Sequence, residues 1–507
     1  MSHSPTLGEV SSPAAEDAAP ASRRQSAYAW LCGLVTLIGA AMMAYSQTRA
    51  FTWDEGFHLL AAQLIAAGKK PYMDFCFPQT PLNVYWNAAW MRLLGETWRV
   101  PHALSALLAA GGAMLAADFV FTRIPAPRWR LPAAMTAALV TGLNLPVFTH
   151  GVTGQAYGMC VFTTVAAFRF SVVAIRKPRA WAAALAGLLA GAAAASSLLT
   201  AAAAPALLVW IALHNRAGNR WTKSAAFVCG AAAPFLTVFL LLIEAPRQTW
   251  FNLVQYQVAF RSATWPDATQ NDVEILISWI DSGQALLLGL LAAAGALFVR
   301  AGKDWSPAQR AEYLLSGWLA LAIGLEVSLA HPTFSRYFLL LVPFLAILAA
   351  AGLCGAASRL AESARPAWSA LVLGALVCLG LAKGLDDRSD VYTWSQIQDL
   401  ARKTAEVTPA QAPLWADENV YFLTRRTPLP GMEFSYSHAI ESLPAGRAAE
   451  LHILPNSEIR RRVAAGAYAT IETCDDDTDF IQSLDLTKLY RQRADVWGCA
   501  VYWDKIR

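Results

Sequence analysis

The chain has 507 residues, of which 56% are hydrophobic and only 15% charged. Soluble domains carry about 25% charged residues, so this composition excludes a disordered chain, a basic nucleic-acid binder and an ordinary soluble enzyme. The net charge of +4 is too small to point to an acidic partner, and what remains is a membrane protein with several spans.

Residues 1–26 are polar, rich in Ser, Pro and Ala, and precede any apolar run. They read as a disordered cytoplasmic tail. A span needs roughly 20 mainly apolar residues. Eleven stretches qualify or nearly so: 27–48, 101–122, 131–148, 152–175, 181–195, 199–213, 224–243, 278–300, 311–330, 336–357 and 367–385. Two of them, 181–195 and 199–213, are short and Ala-rich, which suits close helix packing. The stretch 82–96 holds Asn83, Asn87 and Arg92 and is too short to cross. It reads as an interfacial helix with Tyr85, Trp86 and Trp90 at headgroup depth.

Basic residues orient the spans. With the N-terminus cytoplasmic, Arg123, Arg128 and Arg130, then Arg176, Lys177 and Arg179, then Arg216, Arg220 and Lys223 all fall in cytoplasmic loops. Within spans, Asp118 is expected to pair with Arg123, and Glu326 to meet His331 or a substrate.

After residue 387 the composition turns mixed and charged. Strand-like runs at Leu414 to Ala416, Ala467 to Ile471 and Val496 to Trp503 alternate with helix-like 394–407 and 457–464. The expected architecture is therefore an all-α polytopic membrane domain (27–387, about 11 transmembrane helices plus interfacial helices) followed by a small extracytoplasmic α/β domain (388–507). Cys474 and Cys499 both fall in that domain, where a disulfide is permitted, and the sequence leaves their pairing open. No Cys/His spacing suggests zinc.

Three outward segments hold the candidate chemistry. After the first span comes Thr52-Trp53-Asp54-Glu55-Gly56-Phe57-His58. Thr52 can cap a helix carrying both acids in its first turn, an ordinary stabilising arrangement. Alternatively, one carboxylate faces an aqueous cavity as a general base, with His58 beside it against substrate. The second segment, Lys69-Lys70-Pro71 to Leu82, is extended by Pro71, Pro78 and Pro81. Lys69 and Lys70 suit a lipid phosphate or a solvated turn. Asp74 is a second acid for substrate or a tie within the loop. The third segment is His331-Pro332-Thr333-Phe334-Ser335-Arg336-Tyr337. Guanidinium grips phosphate bidentately, so Arg336 is a phosphate ligand or a snorkelling boundary residue, and His331 is a polar boundary residue or a substrate contact. In the loop 244–277, Trp250, Tyr256 and Trp265 suit an aromatic belt, and Arg261 a second phosphate contact.

These segments, in this order, resemble the multi-span glycosyltransferases of the GT-C fold, in the branch of protein O-mannosyltransferases and lipid A aminoarabinose transferases. The resemblance rests on Asp54-Glu55, on Tyr72 to Leu82, on Leu93-Leu94-Gly95 through Arg99-Val100-Pro101-His102-Ala103-Leu104, and on Arg336-Tyr337 before a span containing Pro343. It covers roughly residues 27–360. It implies a polyprenyl-phosphate sugar donor, an active site at the outer face of a bacterial inner membrane, Asp54 as catalytic base with Glu55 beside it, and Arg336 and Tyr337 at the donor phosphate. It leaves a divalent metal open as cofactor. The second outer loop, Thr149 to Gln155, lacks the acid that family members often have there, which counts against a two-acid site. A lipid-linked-molecule transporter or flippase, or a non-catalytic membrane sensor or scaffold, are the rival readings.

Overall fold

A computed structural model describes residues 21–50, 52–261, 267–360, 366–388, 392–474 and 478–506. The expected tail over 1–20, Trp265 and Arg365 lie outside the described residues. The first helix, α1 (Ala21–Ser46), starts six residues before the expected span, so 21–26 are helical rather than part of a disordered tail.

Among the described residues, six helices are long and apolar enough to cross a membrane: Arg24–Ser46, Arg99–Arg123, Tyr157–Ala174, Arg220–Glu244, Gly283–Ala301 and Pro366–Asp386. Trp181–Ser196, Leu198–His214 and Val342–Ser358 are shorter apolar helices. The chain is thus an α-helical membrane protein with a small C-terminal sheet.

In order, α2 (Thr52–Ala66), α3 (Leu82–Leu94) and α4 (Arg99–Arg123) follow α1. The thirteen residues of α3 extend about 20 Å at 1.5 Å each, short of a roughly 30 Å hydrocarbon core. The expected span 131–148 is broken into α5 (Arg130–Gly142) and α6 (Leu145–His150). Pro146 causes the break, since it lacks a donor and clashes with the preceding turn. The expected span 152–175 begins only at Tyr157, as α7 (Tyr157–Ala174). Residues 151–156 are irregular, and irregular backbone near a membrane is tolerated where protein groups satisfy it. Here Asn83 and Asn87 of α3 both donate to the Gly154 carbonyl, at 3.2 and 2.8 Å.

Next come α8 (Trp181–Ser196), α9 (Ala203–His214), α10 (Arg220–Ala232), α11 (Leu236–Glu244) and α12 (Pro246–Trp250), continued by a π-helical stretch, Phe251–Phe260. A further expected span, 278–300, is divided between α13 (Ala268–Asp281) and α14 (Gly283–Ala301), the second capped by Ser282. Then α15 (Pro307–Ser328), a 3-10 turn (Ser335–Leu340), α16 (Val342–Leu360) and α17 (Pro366–Asp386) complete the helical part.

Small residues set the closest helix approaches. A Cβ on Gly191 of α8 would lie 2.2 Å from the Ala231 carbonyl oxygen on α10. One on Gly295 of α14 would lie 1.9 Å from the Leu348 carbonyl oxygen on α16. Charges at the other end of the bundle pair differently from expectation. Asp118 pairs with Arg169, also accepting from Tyr28, while Arg123 and Arg176 share the fully buried Glu312. Arg169, on the face of α7 that meets α4, reaches Asp118 across the helix contact.

The C-terminal part opens with α18 (Trp394–Val407), then β1 (Leu414–Trp415) and α19 (Glu418–Thr424). Helices α20 (Ala445–Glu450) and α21 (Asn456–Ala464) precede β2 (Thr470–Thr473), β3 (Tyr490–Val496) and β4 (Cys499–Lys505). The strand order is β1-β2-β4-β3, with β1 and β2 parallel and the other pairings antiparallel. The expected run Val496 to Trp503 straddles a turn in which Trp497 and Gly498 take φ of 53° and 85°. Two successive positive φ values match the strand twist of a tight hairpin, and β3 was invisible because its charged residues mask the alternation. Cys474 and Cys499 form a disulfide.

This part shares a core with the segment after α1. Phe57, Leu60, Tyr72, Phe77 and Trp98 pack with Trp394, Leu414, Tyr421 and Phe434. Trp98 and Trp394 stack at 4.6 Å and 7°. Gly56 lets α2 touch α19, since a Cβ there would sit 3.1 Å from the backbone nitrogen of Asn419.

Candidate active site

Asp54 and Glu55 occupy the first turn of α2, where carboxylates complement the helix N-terminus. Consecutive helical residues point about 100° apart, and the two acids meet different surroundings. The Asp54 carboxylate lines a pocket of about 420 Å³. Glu55 turns inward and is fully buried. It accepts from the Gly154 amide at 2.6 Å and meets Nε2 of His102, whose Nδ1 lies 2.5 Å from the Ser46 carbonyl. Glu55 thereby ties α1, α2, α4 and the 151–156 loop together. The expectation that it stands beside Asp54 in a wet cavity is corrected: helical rotation carries it into the protein.

Arg336 reaches the pocket across 282 residues of sequence and donates to Asp54 Oδ2 at 2.5 Å. Its guanidinium lies 4.2 Å above the Phe334 ring. Phe334, Arg336 and Tyr337 cluster at the start of the 3-10 turn, the Phe334 and Tyr337 rings 5.5 Å apart. Arg261 donates to the Tyr337 hydroxyl at 2.6 Å and to Gln257 at 3.2 Å. Gln257 in turn donates to the Pro78 carbonyl at 2.5 Å, so the Pro-rich segment forms the pocket's third side.

His58, one turn after Asp54 on α2, also lines the pocket. Burial pushes its imidazole down to about 4, against the opposing pull of Asp54 and Glu55, so it is neutral at pH 7. Its Nδ1 and the Nε2 of buried Gln155 have no partner among the described residues. Tyr436, from the C-terminal part, packs against Phe57 with ring centroids 6.3 Å apart, and burial and then the Asp54 carboxylate hold its phenol above the usual range. The pocket's opposite wall is apolar: Leu198, Leu199, Leu253, Val258 and Leu329. Leu198, Val258 and Leu329 are well exposed there.

Of the expected site residues, Asp54, His58, Arg261, His331 and Tyr337 line this pocket and Arg336 joins it through Asp54. His331 is anchored by Asp272 at 2.5 Å, and Glu326 accepts from the Ala202 amide rather than meeting His331. Lys69 and Lys70 lie elsewhere, in a hollow of about 470 Å³ with Arg92 and Glu244, where Lys70 pairs with Glu244 at 2.5 Å. They fall past the C-terminal end of α2, about 20 Å along the helix from Asp54 at 1.5 Å per residue. Asp74 is exposed and accepts from the Lys70 amide at 2.7 Å, tying the loop. Gln155, Tyr157 and Tyr436 were missed. An amide and two phenols carry no sequence signal that separates a site from a core or an aromatic belt.

Among the described residues, the group with metal-ligand spacing is Glu472, Cys474 and Cys499. The disulfide removes both sulfurs as thiolate ligands.

No family model matches the sequence, and comparison with curated proteins finds no match. Solved structures do match. ArnT from Cupriavidus metallidurans in the apo state superposes with a TM-score of 0.65 at 17% identity, and the same protein bound to undecaprenyl phosphate with 0.63 at 15%. Each alignment covers 94% of this chain and 98% of that one. The Archaeoglobus fulgidus oligosaccharyltransferase tethered to an acceptor peptide gives 0.51 at 15% identity, over 90% of this chain and 70% of its own. The chain has the GT-C fold of integral-membrane glycosyltransferases.

Proposed function

We propose that this chain transfers a sugar from a polyprenyl-phosphate donor to an acceptor hydroxyl, with inversion, at the outer face of a bacterial inner membrane. The observation that carries the reading is one pocket in which a carboxylate and the Arg261 guanidinium face an exposed apolar wall, with Arg336 paired to that carboxylate. A lipid phosphate needs both: cations for the head and a dry surface for the chain. The undecaprenyl phosphate held by ArnT supports the same choice of donor.

In this reading the N-terminus is cytoplasmic, about eleven helices cross, and residues 388–507 form an outer domain. Asp54 accepts the proton of the acceptor hydroxyl as its oxygen attacks the anomeric carbon. The bond from that carbon to the phosphate oxygen breaks, and the electron pair leaves with the phosphate. Arg336 holds one Asp54 oxygen and orients the carboxylate. Its guanidinium, with Arg261 and the Tyr337 hydroxyl, meets the developing phosphate charge. Preorganised donors of this kind contribute roughly 3–4 kcal/mol each at the transition state. Neutral His58 and the Gln155 amide face the sugar. Lys69 and Lys70 take no part in donor binding, and Asp74 holds its loop.

The test uses purified full-length protein in nanodiscs with a panel of polyprenyl-phosphate sugars. Release of polyprenyl phosphate that depends on acceptor, and falls at least a thousandfold in Asp54→Asn, is expected. Unchanged release by Asp54→Asn removes Asp54 as base. Failure of the wild-type protein to bind polyprenyl phosphate removes the whole reading.

A further inference from the structure

The hollow that holds Lys69 and Lys70 belongs to no step of the reaction above. It measures about 470 Å³ and lies where the C-terminal end of α2 meets α3 and the last turns of α11. The fold sets it at the depth of lipid headgroups. Helices α2 and α3 join the end of α1 to the start of α4, and both of those are long and apolar enough to cross a membrane, so α2 and α3 lie on one side of it. The membrane-length helix Arg220–Glu244 ends at Glu244, within the hollow itself. Its final turns supply Leu240 and Leu241 to the lining, and Leu236, Phe239 and Ile243 beside them are well exposed. Leu93 and Leu94, at the end of α3, are exposed as well. Apolar side chains with a charged edge suit the boundary between headgroups and acyl chains.

The charge of the lining favours an anion. Among the described residues that form it, Lys69, Lys70 and Arg92 face one carboxylate, Glu244. Arg92 donates to the Ala66 and Ile65 carbonyls at 2.8 and 3.1 Å, which caps α2 and fixes the guanidinium in place. Lys70 pairs with Glu244 at 2.5 Å with both side chains about half exposed, and a pair that wet opens readily for a phosphate. Two carboxylates outside the lining also act on the lysines. Asp74 accepts from the Lys70 backbone amide at 2.7 Å. Glu433 is buried in the C-terminal part and raised by that burial to about 7, so it offsets Lys69 only in part. The Tyr85 hydroxyl adds a neutral donor to the same lining.

We propose that this hollow seats the headgroup of an anionic phospholipid of the surrounding membrane. The phosphate lies against Lys69, Lys70 and Arg92, and the acyl chains run along the exposed apolar residues of α11 and α3. Basic pockets between membrane helices hold anionic headgroups in this way. The occupant is a lipid rather than a free phosphate, because the apolar lining continues into exposed apolar helix surface. It is bulk lipid rather than a reacting one, because the hollow stands about 20 Å along α2 from Asp54 at 1.5 Å per residue. A lipid so placed bridges α2, α3 and α11. The site stands whether or not the chain transfers a sugar.

Native mass spectrometry of the delipidated full-length protein tests this, by titration with phosphatidylglycerol and with phosphatidylcholine of identical acyl chains. Phosphatidylglycerol is expected to bind at least tenfold more tightly. The double variant Lys69→Gln, Lys70→Gln is expected to weaken it at least tenfold and to leave phosphatidylcholine within twofold. Ala89→Trp fills the hollow from an exposed position without changing a charge. It is expected to weaken phosphatidylglycerol to a similar degree, and it keeps the test open should the double variant fail to fold. Lys177→Gln removes an exposed lysine outside the hollow and is expected to change nothing. Equal affinity for the two lipids, phosphatidylglycerol binding untouched by both hollow variants, or an equal loss in Lys177→Gln overturns the proposal. Two competitors check the occupant. Soluble glycerophosphoglycerol that displaces the lipid at the lipid's own concentration makes this a free-phosphate site and overturns the lipid assignment. Polyprenyl phosphate that binds at least tenfold more tightly than phosphatidylglycerol, and is lost in the double variant, overturns the assignment to bulk lipid.

Discussion

Two neighbouring acids with opposite roles provide a sharp prediction. Glu55→Ala removes the acceptor for the Gly154 amide and the partner of His102, all fully buried. Removing one partner of a buried, hydrogen-bonded polar pair costs about 3–5 kcal/mol, because the remaining groups are left uncompensated. At about 2 °C per kcal/mol, the low end for domains of 150–250 residues, the melting temperature falls by roughly 6–10 °C. Asp54→Asn keeps the size and one acceptor oxygen at a partly exposed position, where an ion pair is worth about 1 kcal/mol or less, so its melting temperature moves by roughly 2 °C or less. Differential scanning fluorimetry in one detergent gives the first readout, and donor-dependent release of polyprenyl phosphate gives the second. Glu55→Gln, which retains an acceptor oxygen, should recover most of the lost stability and keep activity above that of Asp54→Asn. A Glu55→Ala protein that melts like wild type but is inactive would refute the reasoning and make Glu55 the reacting group.

Burial raises Glu433 to about 7. The folded state favours its neutral form, so its contribution is full below the unfolded value near 4.5 and is lost as pH rises through 7. Glu433→Gln should therefore raise the melting temperature at pH 8 and leave it nearly unchanged at pH 4.5. His58, lowered to about 4, works in the opposite sense: its contribution is present above the unfolded value near 6.5 and is lost as pH falls toward 4. His58→Gln should flatten stability between pH 6.5 and 4 when wild type and variant are compared by thermal melts. Arg261→Ala should weaken binding of polyprenyl phosphate at least tenfold, about 1.4 kcal/mol, whereas Lys69→Ala and Lys70→Ala should change it less than twofold; microscale thermophoresis distinguishes the two. Gly295→Val forces α14 away from the Leu348 carbonyl of α16 and should cost 1–3 kcal/mol or more, as overpacking does, seen as a lower melting temperature with unchanged donor affinity per folded molecule.

Much of the helical part follows from local chemistry. Uninterrupted apolar runs such as 101–122 and 367–385 become α4 and α17 because every backbone group must be paired within the segment where water is excluded. Asp54, Arg336 and Tyr337 are also legible as candidates, since each lies at or just beyond the end of an apolar run, whereas Arg261 lies in the middle of the 244–277 loop. Local breakers moved the boundaries: Pro146 goes with the split of 131–148, and at Ser282-Gly283 the helix expected over 278–300 begins five residues later.

The tertiary structure alone decided which acid serves the pocket. Asp54 and Glu55 are chemically near-equivalent and adjacent, so nothing local separates them; the His102 ring and the Gly154 amide do. It also decided which cations gather at the site. Arg336 arrives from 282 residues away, while Lys69 and Lys70, only about fifteen residues from Asp54, are carried off by the length of α2. Tyr436, from beyond the last helix of the bundle, completes the site because the C-terminal part shares a core with α2. Composition and periodicity report how far a residue prefers to leave water, and that preference is set by its own side chain. Which buried partner it meets depends on the angle between packed elements, and no single stretch of chain contains that angle.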